Sequence, residues 1–265
     1  MSPSSRLIAV DIGNSTTKLG WFDLTSLPKE GLPRPTNVAE YATANEPPDD
    51  FLSCYDDRPI DWYVASVQRD ASKRLENWLA LSRPADRLRH LTFRDLQMDI
   101  RVDFPEKVGT DRLMAAVAAN ELRAKDRFAI VIDAGTAITV DLVATDGAFE
   151  GGVILPGFRL SAQALASGTN QLPLTPFSAH DAPPPVVGKN TQDAIRSGLF
   201  WGTAGAVKHL VEQISATLPQ RPQVFITGGD LWRLAPILGQ DTIFVPNMVL
   251  SGIALAASGA PVRNA

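Results

Sequence analysis

A chain of 265 residues with 45% apolar side chains and a formal net charge of −4 is globular and long enough for two modest domains, each with its own core. Its 25 basic residues are scattered among 29 acidic ones, which leaves no basic footprint of the kind nucleic-acid binding needs. The single cysteine, Cys54, rules out an internal disulfide, and beside only three histidines it makes a structural zinc site improbable; cytoplasmic residence is the simplest expectation.

Residues 7–10 read as a strand. A polar turn follows, made of Asp11, Ile12, Gly13, Asn14, Ser15, Thr16, Thr17 and Lys18, and then a second apolar run over 19–22. This is the pattern of a phosphate-holding hairpin. Gly13 allows the backbone a positive φ and close approach to an anion. Asn14, Ser15 and Thr16 supply short side chains and N–H groups for phosphate oxygens, and Lys18 adds a mobile positive charge. Asp11 cannot bind phosphate directly, because two anions repel, so a carboxylate there implies Mg²⁺ or its waters between them. An ordinary Gly-Asn hairpin is the alternative. The same device recurs over 129–142, where an apolar strand leads to Asp133, Ala134, Gly135 and Thr136 before a second strand. Two copies half a chain apart imply two similar lobes.

Between the hairpins, residues 25–50 read as exposed loops with one short strand near 38–43. Residues 61–67 form a buried strand and 71–81 a helix whose inner face carries Leu75, Trp78 and Leu79; Trp62 and Trp78 are core. One or two further strands are expected over 91–101. Thr110 is placed as the N-cap of a helix with Leu113, Ala116, Val117 and Asn120 on its inner face. That puts Asp111 in the first turn, where the helix dipole favours the ionised carboxylate and hence a proton acceptor. A carboxylate that merely complements the dipole is the alternative.

After the second hairpin, Gly151, Gly152 and Gly157 suggest tight backbone packing at a cleft. A helix is expected over 160–166, and the proline-rich stretch 173–187 reads as a surface loop or lid. Gly188, Lys189, Asn190 and Thr191 precede a helix that carries Gly198, Gly202 and Gly205, residues that let another backbone come close, in this chain or in a second copy. Residues 223–226 form a strand ending in a Gly228-Gly229 turn, followed by a helix over 231–238, a short strand at 243–245 and a last helix over 250–257. The strongest apolar windows, around Ala129 and Leu250, are broken by Asp133, Ser251 and Gly252, so no membrane span is expected. The N-terminal apolar run is too short for a signal-peptide core.

Taken in order, the Asp11 turn, Gly109-Thr110-Asp111-Arg112, Asp133-Ala134-Gly135-Thr136-Ala137, Gly151-Gly152 with Pro156-Gly157, Gly188-Lys189-Asn190-Thr191 and Thr227-Gly228-Gly229 resemble the type III pantothenate kinases. These belong to the acetate and sugar kinase, heat-shock chaperone and actin superfamily. The resemblance implies an α/β protein of two ribonuclease-H-like lobes, 1–122 and 123–265, with an ATP cleft between them. It implies ATP-dependent phosphorylation of pantothenate, the first step towards coenzyme A. Asp11, Ile12, Gly13, Asn14, Ser15, Thr16, Thr17 and Lys18 would form the first phosphate loop, Gly135 and Thr136 the second, and Gly228 and Gly229 the adenosine edge. Asp111 would be the catalytic base and Gly109, Thr110, Arg112 and Thr191 would meet pantothenate. Asp133 would help hold a monovalent cation, K⁺ or NH₄⁺, with Mg²⁺ at Asp11, and the chain would be a homodimer.

The sequence departs from that family at Phe104, where an Asn commonly precedes the proline, and at Val102, where an aromatic is common; Ser15 stands for a usual Thr and keeps the hydroxyl. A nucleotide-binding regulator of the same fold is the alternative from another class, and a phosphatase or polyphosphatase a third. Asp111 separates them, because a switch needs no carboxylate aimed at an acceptor hydroxyl.

Overall fold

The computed structural model describes residues 6–26, 31–48, 58–176, 182–229, 235–239 and 241–259. Cys54 and residues 231–234 of the expected 231–238 helix lie outside them. Two compact units emerge, the first from the described residues of 1–125, 146–149 and 247–265, the second from those of 126–145 and 150–246. The sequence suggests a single cut at 122/123; contacts instead return the C-terminal helix to the first unit.

In the first unit, β1 (Arg6–Ile12) and β2 (Thr16–Asp23) form the expected hairpin, joined by β3 (Asn37–Ala42), β4 (Asp61–Ser66) and β5 (Arg87–His90) in the order β3-β2-β1-β4-β5. β4 runs parallel to β1. The strands predicted over 91–101 fall earlier, at β5; within that stretch there is only an isolated bridge from Ile100 to Phe149. The β1 side chains alternate between two covered faces. Ile8, Val10 and Ile12 pack with Leu75, Trp78 and Leu79 of α1 (Arg69–Ser82), where Trp62 and Trp78 meet edge to face at 6.2 Å. The opposite face, which carries Leu7, Ala9 and Asp11, is covered by α6 (Met248–Ser258), which in turn packs on α2 (Thr110–Leu122).

That double cover explains why α2 is not amphipathic. Every residue from Leu113 to Asn120 is buried, whereas the sequence pattern suggested a single inner face. A helix apolar all round belongs inside, and α6 supplies the second wall. Gly252 sets how closely the two helices approach, since a methyl group built on it would overlap the carbonyl of Met114. Gly252→Ala is therefore expected to cost about 3 kcal/mol by overpacking, lowering Tm by something on the order of 5–10 °C. Thermal unfolding at the parental temperature would refute this account of the α2–α6 contact.

The second unit repeats the plan. β6 (Ala129–Ala134), β7 (Ala137–Val143), β8 (Phe149–Pro156), β9 (Gln223–Thr227) and β10 (Thr242–Phe244) lie in the order β10-β9-β6-β7-β8, with β9 parallel to β6. This is the first sheet's order, strand for strand. Ile130, Ile132 and Ala134 face α3 (Phe158–Ser167) and α4 (Thr191–Ala216) through Phe158, Phe200, Ala204 and Val207. Only Ala235–Leu238 of the last predicted helix but one is described, as the short α5. Residues 182–187 run along α4, where Ser197 Oγ donates to Val186 O at 2.6 Å and Trp201 Nε1 to Pro184 O at 3.0 Å.

Candidate active site

The parallel pairing of β1 with β4 brings their C-terminal ends together, with Asp11 opposite Ala65 and Ile12 opposite Ser66. Open α/β sheets gather ligands at this edge. Two hydrogen bonds extend the edge across the unit. Val67 N donates to Ile12 O at 3.1 Å, and Thr110 Oγ1 donates to Ser66 O at 3.0 Å. The first turn, the end of β4 and the start of α2 thus form one connected rim, and Asp11 and Asp111 belong to it. Both lie on the side of the sheet that α2 and α6 cover.

Thr110 is not the N-cap. Gly109 holds that place and, having no side chain, makes no side-chain cap; the Thr110 hydroxyl donates to Ser66 O instead. Asp111 sits in the first helical turn as expected, and Arg112 N donates to its Oδ1 at 2.8 Å. Its protonation departs from expectation. Burial raises its pKa above the ordinary aspartate value, outweighing the Arg112 N–H and guanidinium charge, which lower it. Desolvation wins over the helix dipole because the start of α2 is packed against β4 instead of open to water. The Arg112 guanidinium lies 5.5 Å from the Phe149 ring centre, a cation–π contact that anchors it. Beside Thr110 and Val108, a cavity of about 590 Å³ opens between the end of β4, the start of α1 and residues 90–93, of a size typical for small-molecule sites. Phe104 is exposed, and Lys107 Nζ lies 4.3 Å from its ring centre.

In the first turn, Gly13 does not take positive φ. Its N–H closes the hairpin onto Thr16 O at 3.0 Å, so the donors left for an anion come from the residues after it. Thr16, Thr17 and Lys18 are already in β2. Lys18 pairs in register with Asp11 on one side and Glu40 on the other. Its Nζ is 3.8 Å from the Glu40 carboxylate, with the Lys18 side chain 25% exposed. An exposed pair of this kind is worth at most about 1 kcal/mol and leaves Lys18 exchangeable.

The second unit builds the matching edge. Asp133 occupies on β6 the place Asp11 has on β1, the penultimate position, on the face away from α4 as Asp11 is on the face away from α1. It aligns with Thr139 on β7 and Thr227 on β9. Gly135 N donates to Ala137 O and Gly157 N to Thr136 O, both at 3.0 Å. Gly228 follows β9 with φ +103° and lies so close to the Ala134 backbone that a methyl group would overlap it, a place only glycine fills. Gly135, Thr136, Gly157 and Gly228 therefore converge on one turn. Gly229, next in the chain, is exposed. Thr191 belongs to the second unit too, but stands exposed at the start of α4; its neighbour Asn190 is the N-cap, accepting from Asp193 N at 2.9 Å. Among the described residues no group of three or more His, Cys, Asp or Glu side chains could hold a metal, and no helix is long and apolar enough to cross a membrane.

The contacts sequence reasoning missed are Ser66, which ties α2 to the sheet, and Thr43, which grips the first turn; Gly157, singled out in the sequence for tight packing at a cleft, supports the second turn. Neither Ser66 nor Thr43 lies in a phosphate-loop pattern, and only their placement in space marks them.

A family model described as type III pantothenate kinase matches residues 7–213. The chain is 37% identical over 225 residues to a type III pantothenate kinase of Rhodopirellula baltica, covering 82% of this chain and 77% of that one. It is 44% identical over 151 residues to a type III pantothenate kinase of Alkalilimnicola ehrlichii, a match that covers 57% of this chain and 59% of the relative. Among solved structures, a putative 2-dehydro-3-deoxygalactonokinase from Sinorhizobium meliloti superposes with a TM-score of 0.52 over 96% of this chain and 98% of that one, at 14% identity; it shows the fold, that of the sugar kinases and actin-like ATPases. With the Asp11 turn, the Gly109–Arg112 run and the second glycine-rich turn all lying within the matched residues, the chain belongs to the type III pantothenate kinase family.

Proposed function

We propose that this chain is a cytoplasmic enzyme that transfers the γ-phosphoryl group of ATP to the primary hydroxyl of pantothenate. The observation that carries the reading is the rim that ties the strand end bearing Asp11 to the helix start bearing Asp111 through Val67, Ser66 and Thr110. Asp11, the turn residues 14–16 and Lys18 handle the phosphates and Mg²⁺, and Asp111 orients the acceptor hydroxyl and takes its proton. Gly109, Thr110, Arg112 and Thr191 are assigned to the acceptor, and Gly135, Thr136, Gly228 and Gly229 to the nucleotide. Mg²⁺ would neutralise charge on the phosphates; a single carboxylate such as Asp11 fits an ion that keeps most of its waters and binds chiefly to phosphate oxygens. The purified chain, given ATP, Mg²⁺ and K⁺, should yield phosphopantothenate by mass spectrometry. Nucleotide binding without product would favour the regulator instead.

A monovalent cation is assigned to Asp133. The donor set fits, because Thr139 aligns with Asp133 across the ladder and its buried Oγ1 has no hydrogen-bond partner, an oxygen available to a cation. Activity is expected to rise at least several-fold when Na⁺ is replaced by K⁺ or NH₄⁺. Equal rates in the three salts would return Asp133 to a structural role.

The chain is also assigned as a homodimer. A methyl group built on Gly198, Gly202 or Gly205 meets nothing of its own chain within 4 Å, so the α4 glycines do not serve packing within the described chain. Sedimentation should give twice the chain mass of 28.6 kDa at micromolar concentration, and a monomer would exclude this assignment.

A further inference from the structure

The phosphate turn is gripped from behind by a residue that belongs to no motif. Thr43, just past β3, donates from its N–H to Ser15 O at 3.0 Å and from its Oγ1 to Gly13 O at 2.9 Å. Its Oγ1 also lies 3.0 Å from Thr17 Oγ1, and its own carbonyl accepts from Arg74 Nη2 of α1 at 2.5 Å. Thr43 is 4% exposed and Thr17 1%. We propose that Thr43 is the positioning residue of the first phosphate turn, fixing its carbonyls on the α1 side so that the turn presents its other face to a nucleotide's phosphates. The inference rests on the phosphate-holding reading of that turn.

Hydroxyl proton counting gives the contact a direction. A threonine hydroxyl has one proton; that of Thr43 goes to Gly13 O, so Thr17 must donate to Thr43. Tyr41 stands opposite Thr17 in the ladder, and burial pushes its phenol up to about 12. The order is Thr17 to Thr43 to Gly13 O. Both hydroxyls lie on the α1 face, whereas Asp11 and Lys18 lie on the other, which keeps the grip away from the face assigned to the metal and the phosphates. Anchoring two carbonyls before the ligand arrives removes an ordering cost from binding, so the loss should appear in affinity for nucleotide and not in the acceptor.

Thr43→Val keeps the shape and the N–H but removes the hydroxyl. Its KM for ATP should rise on the order of tenfold, the worth of one buried hydrogen bond, with kcat and the KM for pantothenate within about twofold. Thr43→Ser should restore the parental KM. In the free protein, amide exchange over residues 13–17 should quicken in the Val variant and not in the Ser variant. Thr17→Val, which removes the hydroxyl that donates to Thr43, gives the same comparison at a smaller rise if the Thr43→Val variant does not fold. A parental KM for ATP, or parental exchange across the turn, overturns the proposal. Should the wild-type chain turn over no ATP, the kinase reading falls, and the exchange measurement still decides whether Thr43 holds the turn.

Discussion

Asp111→Asn is expected to lower kcat on the order of 10²- to 10⁴-fold, the range for loss of a positioned proton acceptor, while nucleotide affinity changes little. Asparagine keeps the size of the side chain and can still accept from Arg112 N, the 2.8 Å contact that orients it, so the lost function is proton acceptance alone. Phosphoryl transfer passes through a loose transition state in which the hydroxyl needs placing more than early deprotonation. A carboxylate whose pKa is raised by burial suits that role, being a better base than an exposed aspartate. Two further readouts follow from the same shift. The acid limb of kcat/KM should lie above the ordinary aspartate range and disappear in the Asn variant. For stability, the folded state holds the Asp111 proton more tightly than the unfolded chain does. The stabilisation is therefore complete below the ordinary aspartate pKa and is lost as pH rises through the raised value. Above that raised value the ionised group opposes folding, and Asp111→Asn should there melt no lower than the parent. Parental turnover in a folded Asn variant would leave Asp111 a helix-start residue.

Asp11→Asn should abolish measurable turnover, a loss on the order of 10³-fold or more if the carboxylate fixes the metal that neutralises the phosphates. The strand should survive, because its register with β2 and β4 is held by backbone pairing on both sides and the neighbouring Lys18 keeps Glu40 as a partner. A kcat near that of the parent, measured at saturating ATP and Mg²⁺, would remove Asp11 from metal handling. Unlike Asp111→Asn, this variant should also lose the dependence of nucleotide binding on Mg²⁺, which separates the two carboxylates experimentally.

The repeated hairpin was legible because it is local. An apolar strand, an Asp, a glycine turn and a second strand lie within about fifteen residues at both places, and each formed as read, at β1–β2 and β6–β7. Helix existence was legible for the same reason, and the ends of α1, α3 and α6 fall within three residues of the pattern. Asp111 in a first helical turn also follows from its neighbours alone. The tertiary structure decided what depends on residues far apart in the chain. Thr110 became a link to Ser66, 44 residues away, instead of a cap, since a strand-end carbonyl stood within reach. Asp111 had its pKa raised instead of lowered, because packing removed water that the helix dipole alone does not replace. α2 was buried on every side because α6, more than a hundred residues later, covers the face that α2's own periodicity assigned to solvent. The grip of Thr43 on Gly13 spans 30 residues, and a lone threonine after a strand carries no sequence signal for it. Local spacing fixes which elements form and which carboxylates start them; burial, and with it protonation and the second wall of a helix, depends on what the rest of the chain places alongside.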